Sequence, residues 1–247
     1  MTFAADNGFP LNAIVPVTAS ILEQEAGLSR ALIVETPFRR HSTSDASIFD
    51  PWLELVKSAK LDVHYLEIDR TLPLLRNLDL SNFDVVLLGG GALPFARERD
   101  FEKLKTFVHS GGRVIMTANH FMMGSVAKVN ELVVPFGLRM TDTEPAPKRN
   151  DPAIEIEAAD IAKHDLTAGV GTLKFHRPSP VAVEDEQRGT ILVAAPPYPD
   201  AGFVAVAQVD RGQVVVVGVS LWWNWISSQK ESGADNARLL QNLLTKP

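Results

Sequence analysis

The feature that most constrains the fold is a repeated alternation of short apolar runs with stretches of helical period. Ala31-Leu32-Ile33-Val34-Glu35-Thr36, closed by Pro37, is apolar almost throughout, the pattern of a strand buried on both faces. Asp50-Pro51 then supplies an N-cap and a first-turn proline for a helix carrying Leu53, Val56 and Ala59 on one face. Leu61 to Glu67 reads as the next strand. Phe83-Asp84-Val85-Val86-Leu87-Leu88 is a third, running directly into Gly89-Gly90-Gly91. The spacing of Phe101, Leu104, Phe107 and Val108 predicts a helix from about Glu98 to Ser110, stopped by Gly111-Gly112 in the manner of a left-handed C-cap. Arg113 to Ala118 is a fourth strand, and Ser125 to Val134 an amphipathic helix ended by Pro135. Such alternation predicts an α/β fold with a doubly wound, mostly parallel sheet and helices on both faces.

The rest of the chain changes character. From Arg139 to Pro199 prolines are frequent and no long helical period appears, with strand-like stretches at Ile154–Ala158 and Ile191–Ala195. This segment reads as an insertion or sheet extension, part of a β-rich region at about 139–210. Phe203–Val209 and Gln213–Val219 flank Asp210-Arg211-Gly212, a hairpin signal. Asp235 to Leu244 closes the chain as a helix with Ala237, Leu240, Leu243 and Leu244 inward. Residues 1–29 are expected to be a peripheral arm, where Ser20 to Glu23 fits a capping box, and 30–247 a single domain.

Composition removes several function classes. The formal charge is −6 with no visible basic patch, so nucleic acid is not an expected partner. The first 29 residues hold no Lys or Arg, and no window approaches the roughly 20 apolar residues of a membrane span. A cytoplasmic protein without membrane partners is the expectation. The chain has no cysteine, which excludes thiolate catalysis, disulfides and Cys-ligated metal.

Several ordered patterns carry a resemblance. After the strand into Gly89-Gly90-Gly91 come Phe107-Val108-His109-Ser110-Gly111-Gly112-Arg113-Val114-Ile115, then Asn130-Glu131-Leu132 leading to Pro135-Phe136-Gly137. His164-Asp165-Leu166-Thr167-Ala168-Gly169-Val170, Arg211-Gly212-Gln213-Val214-Val215-Val216-Val217-Gly218 and Asp235-Asn236-Ala237-Arg238-Leu239-Leu240-Gln241-Asn242-Leu243-Leu244 follow. Across about residues 30 to 245 the set resembles the class I glutamine amidotransferase-like superfamily. Within it, the resemblance is to the cysteine-less domains of the intraflagellar-transport and gliding-motility group and of ThuA-like proteins. It implies a flavodoxin-like sheet with its functional edge at the carboxyl ends of the strands, which is also where open α/β sheets generally bind ligands. Active members carry a Cys nucleophile on the turn after the strand that is here Arg113–Ala118. This chain reads Ala118-Asn119-His120-Phe121 there, so glutaminase activity is not implied.

Candidate site residues gather on that edge. Gly89, Gly90 and Gly91 can offer backbone N–H groups to an anion, or simply form a tight turn. His120 and Asn119 occupy the place of the lost nucleophile; a histidine there can act as base, ligand or hydrogen-bond donor, or fill the vacated elbow. His41 and Ser42 follow the first strand together with Arg39 and Arg40, which can clamp a carboxylate or form a solvated loop. Gly218-Val219-Ser220-Leu221-Trp222 nearly spells a nucleophile elbow around Ser220 but lacks its last glycine. Trp222, Trp223 and Trp225, with Asn224 among them, can stack on a ligand, anchor a partner or form a core lid. His164 fits a local polar turn.

The preferred reading is a catalytically degenerate domain that binds a small polar ligand, carbohydrate-related in one version, or a protein partner. The alternatives are a hydrolase rebuilt from His41, Ser42, His120 and Ser220, and a scaffold module that self-associates through its tryptophan face. No cofactor is called for. A divalent metal assembled from distant loops, such as His41, His120 and an Asp, is left open, since no HExxH is present.

Overall fold

The computed structural model describes residues 15–16, 28–34, 61–66, 73–119, 125–143, 153–196, 198–219 and 235–245. Its strands and α-helices, in chain order, are β1 (Val15–Pro16), β2 (Ser29–Val34), β3 (Leu61–Leu66), β4 (Val85–Gly89), α1 (Glu98–His109), β5 (Arg113–Thr117), α2 (Ser125–Val133), β6 (Leu138–Met140), β7 (Ala153–Ile156), β8 (Leu173–His176), β9 (Val181–Val183), β10 (Gly189–Ala195), β11 (Tyr198–Val209), β12 (Gly212–Val217) and α3 (Asn236–Leu244). The helix expected after Asp50-Pro51 and the capping box at Ser20 lie outside the described residues.

One sheet follows the order β1-β3-β2-β4-β5-β12-β11-β9-β6, with β10 paired to β11. From β1 to β12 every ladder is parallel; from β12 onward every ladder is antiparallel. The structure is therefore a mixed α/β fold whose central sheet is parallel on one side and antiparallel on the other. The second half of the chain supplies the antiparallel side, and β7 and β8 form a separate two-stranded sheet.

The uninterrupted apolar runs have the physical cause the sequence suggests. Strands β2, β4 and β5 are buried along their whole length. Alternate residues feed two cores. Leu32, Val86, Leu88, Val114 and Met116 pack with α1 and α2, through Phe101, Leu104, Val129 and Leu132. Ile33, Val85, Leu87, Ile115 and Val215 pack with α3, through Leu239, Leu240, Leu243 and Leu244. Helices thus cover both faces.

Each junction is closed by an identifiable polar device. Gly111, at φ 110°, lets α1 end in a Schellman motif, with Gly111 N donating to Val108 O at 2.9 Å and Gly112 N to Phe107 O at 3.0 Å. Asp100, buried in the first turn of α1, accepts from the N–H groups of Arg97, Leu74 and Leu75 at 2.9, 3.1 and 2.7 Å, which ties the 73–78 turn to the helix start. Arg113 is buried at the start of β5, and its Nη1 donates to Leu243 O at 2.9 Å, Asn242 O at 3.4 Å and Thr245 O. A cation at the carbonyl end of α3 satisfies groups the helix leaves open and complements its dipole. Burial pushes the Arg113 guanidinium down to about 10, so it stays protonated at neutral pH.

Two asparagines close strand edges in the same way. Asn130 of α2 accepts from Met140 N and donates to Met140 O, both at 2.9 Å, on strand β6, whose one sheet neighbour among the described residues is β9. Asn236 of α3 accepts from Lys174 N at 3.0 Å and donates to Lys174 O at 2.7 Å on β8, whose one sheet neighbour among the described residues is β7. A carboxamide presents the same donor and acceptor as a peptide unit, so each side chain stands in for one residue of a missing strand. The His164 region is likewise structural: His164 Nδ1 accepts from Leu166 N at 3.1 Å, and Asn242 of α3 donates to Ala168 O at 2.9 Å.

Replacing Asn130 with Ala gains helix propensity but leaves the Met140 N–H and C=O without these partners. We expect Asn130→Ala to lose about 1–2 kcal/mol of stability in urea unfolding. An unchanged midpoint would show that water replaces the clasp.

Candidate functional site

The described candidates of the sequence fall at the carboxyl edge of the parallel strands. Strand β4 ends in Gly89, which is in register with Thr117 at the end of β5, and Thr117 is in register with Val217 at the end of β12. Beyond those positions the chain continues as Gly90-Gly91, Ala118-Asn119 and Gly218-Val219. Of the candidate residues, Gly89, Gly90, Gly91 and Asn119 lie on this edge. Arg39, Arg40, His41, Ser42, His120, Ser220, Trp222 and Asn224 lie outside the described residues, so the geometry of a rebuilt hydrolase site or of a tryptophan face is not part of the described structure. Among the described residues no group of three or more His, Asp or Glu is placed to hold a metal ion.

Of the two alternatives for the glycine run, an anion nest or a tight turn, the backbone takes the tight turn. The described glycines with positive φ are Gly111, Gly137 and Gly169, so Gly89-Gly90-Gly91 turns without left-handed backbone. Ala92 N instead donates to Gly89 O at 2.9 Å, closing a β-turn, and a 3-10 turn at Leu93–Phe95 follows.

The end of β12 is held by the segment after β8. Ser179, fully buried, donates its N–H to Gly218 O at 2.6 Å, while Gly218 N donates to Phe203 O at 2.8 Å. A Cβ on Gly218 would sit 1.9 Å from Ser179 O, so only glycine allows this approach. Thr141 N donates to Pro180 O at 2.8 Å, which anchors the other end of the segment. Between β8 and this anchor Arg177 takes φ 47°, a left-handed conformation that costs a non-glycine residue about 1 kcal/mol or more. The near-match to a nucleophile elbow at Gly218 therefore has a packing explanation.

Sequence reasoning missed Thr117. It sits on the same face of β5 as Ile115, has no exposed surface, and its hydroxyl has no hydrogen-bond partner among the described residues. A buried hydroxyl left unpaired costs roughly 1–3 kcal/mol. The available signal was a polar residue closing the apolar run Val114-Ile115-Met116. Asn119, two residues on, is 1% exposed. With Ser179 these make the buried polar groups of this edge uncharged among the described residues.

The other buried polar cluster belongs to the opposite half of the strands. Arg30 Nε lies 3.3 Å from Asp62 Oδ2 and its Nη1 donates to Asn82 O at 3.3 Å; His64 Nε2 lies 2.9 Å from Asp62 Oδ1 and its ring packs edge-on against Phe83. Asp84 accepts from Arg30 N at 2.9 Å. These contacts join β2, β3 and the entry to β4.

No protein-family model matches the chain, and no curated protein sequence matches it at a significant level. Solved structures do share its fold. The mmIFT52 N-terminal domain matches with a TM-score of 0.58 over 86% of this chain and 94% of that domain, at 12% identity. A ThuA-like protein from Bacteroides uniformis ATCC 8492 matches with a TM-score of 0.52 over 91% of this chain and 94% of that one, at 12% identity. A β-galactosidase from Rahnella sp. R3 matches with a TM-score of 0.56 over 87% of this chain, at 14% identity, but over 30% of its own length. At these identities the likeness is one of fold. An intraflagellar-transport type domain and a ThuA-like protein, the two types named from the sequence, are both among the similar structures. No helix among the described residues is long and apolar enough to cross a membrane.

The Gly218–Ser179 approach is testable directly. Gly218→Ala forces the 177–180 segment off the end of β12, and we expect a loss of about 1–3 kcal/mol on chemical denaturation. A variant as stable as the parent would mean that the two backbones separate without penalty.

Proposed function

We propose that this chain is a catalytically degenerate glutamine amidotransferase-like domain that binds a small polar ligand at the carboxyl edge of its parallel strands. The observation that carries the reading is the turn after β5. Where active members of that superfamily place a cysteine, this chain reads Ala118-Asn119-His120-Phe121, following a central strand flanked by β4 and β12. Without a thiol there is no nucleophile for thioester formation, and the buried side chains described beside the turn, Thr117, Asn119 and Ser179, are neutral hydroxyl and carboxamide groups.

The strand order supports the location. Counting β2 as the first core strand, β3-β2-β4-β5-β12 follows the flavodoxin-like order 2-1-3-4-5, whose direction reverses between β2 and β4. Ligands of such sheets bind outside the carboxyl ends at that reversal, beside the Gly89-Gly90-Gly91 turn. The mmIFT52 N-terminal domain and the ThuA-like protein share this fold, and they are of the two types that the resemblance names.

The test has two parts. Purified protein incubated with glutamine should release no ammonia above background. In hydrogen–deuterium exchange against a set of small polar metabolites, a binder should slow exchange in peptides covering residues 88–92 and 116–119. Glutamine turnover would remove the degenerate reading, and protection confined to other segments would move the site elsewhere.

A further inference from the structure

At the end of the sheet opposite the carboxyl edge, the fold brings a histidine and an aspartate together on the surface. His109 is the last residue of α1, and Asp210 sits in the turn between β11 and β12. They precede the neighbouring strands β5 and β12, which pair from Arg113 and Gln213 onward. The turn is pressed against the helix end: a Cβ on Gly212 would sit 2.0 Å from Val108 O, and Arg211 Nη2 donates to Ser110 O at 3.5 Å. Gln208 Nε2 donates to Asp210 O at 3.2 Å. Backbone packing therefore sets where the two side chains meet.

His109 Nδ1 lies 2.7 Å from Asp210 Oδ2. A carboxylate only accepts, so the neutral ring carries its proton on Nδ1 and presents the lone pair on Nε2, the nitrogen on its far side. The His109 side chain is 54% exposed and that of Asp210 66%, so a reagent in solution reaches the pair without any movement of the chain. Two other histidines stand differently. His64 is buried, and His164 uses its Nδ1 lone pair for the N–H of Leu166, which puts its own proton on Nε2. An exposed ion pair adds little to stability, so the fold has small need of the His109–Asp210 contact.

We infer that His109 Nε2 is a phosphoryl-acceptor site, with an acyl phosphate as the class of donor. The Nε2 lone pair attacks phosphorus; the N–P bond forms as the P–O bond to the acyl group breaks, and the carboxylate leaves with the bonding electrons. The Nδ1 proton stays on the ring, and the positive charge the ring acquires faces the Asp210 carboxylate. Arg211, anchored at the residue after His109, supplies a guanidinium whose planar fork matches phosphoryl oxygens. The carbonyl end of α1 and the Asp210 carboxylate both oppose a lasting dianion, so the group is held loosely and passes on to water or a second acceptor. This site lies apart from the carboxyl edge and does not depend on ligand binding there.

The experiment treats the full chain, His109→Gln and Asp210→Asn with acetyl phosphate at neutral pH, and maps phosphoryl groups over the six histidines by peptide mass spectrometry, with phosphorus NMR to identify the N–P bond. In the parent most of the label should sit on His109, be lost in acid, and be absent from His109→Gln. Asp210→Asn should label about tenfold more slowly or worse, because a carboxamide can donate to Nδ1 and drive the ring proton onto Nε2. Both variants should melt within about 2 °C of the parent, which separates lost chemistry from lost folding. No label on the parent, or label spread evenly over its histidines, overturns the inference whatever the variants do. Asp210→Asn labelled as fast as the parent overturns it too, and so does a variant that melts far below the parent, since the pair would then serve the fold.

Discussion

The constraint on which the rest of the structure depends is that β5 is buried on both faces and paired on both edges. A strand in that position has no side open to water, so its middle must be apolar and any polar residue is driven to its ends. Arg113 and Thr117 are those ends. The fold treats them differently. Arg113 is surrounded by carbonyls from α3 and the side chain of Gln213, so its charge is used to close a helix. Thr117 receives no such partner. The same strand is fully satisfied at its amino end and unsatisfied at its carboxyl end, an asymmetry that physical stability alone does not ask for.

The asparagine clasps show how the edges of this architecture are managed. Sheets expose unpaired backbone groups at their borders, and such groups invite pairing with other chains. Asn130 and Asn236 each cover one residue of a border strand with a side-chain amide, and each comes from the helix that packs beside that strand. Parts of the sequence resemblance, Asn130-Glu131-Leu132 and Asp235-Asn236, are thereby explained by packing. Asp235 adds to it by accepting from Gly171 N and Thr172 N, which fixes the entry to β8 against the start of α3.

Much of the parallel half was legible because its signal is local. Ala31 to Val34, Val85 to Leu88 and Val114 to Met116 are apolar without interruption, and the helix after β4 has its stop written at Gly111-Gly112. The Asp210-Arg211 turn was equally legible, since β11 and β12 meet across it with Val209 opposite Gly212. What was not legible depended on partners far away in the chain. Gly218 stands in a near-match to a nucleophile elbow that lacks its last glycine, and its packing role depends on Ser179, which lies far from it in sequence. Thr117 looked like an ordinary strand residue until Gly89 and Val217, brought beside it by two other strands, proved to offer it nothing. The antiparallel order β12-β11-β9-β6 could not be read from short strands of mixed polarity, because register there is set by neighbours rather than by periodicity.

The contacts of Arg113 also bear on how the chain reaches this structure. They join residue 113 to carbonyls at positions 242, 243 and 245, and the far edge of β5 pairs with β12, about a hundred residues later. A ribosome would therefore have synthesised β2 to β5 well before the strand that covers β5 and the helix that neutralises its buried cation exist. During that interval an apolar strand edge and an unmatched guanidinium stand open, so the parallel half is a late-closing unit whose protection waits on the last helix.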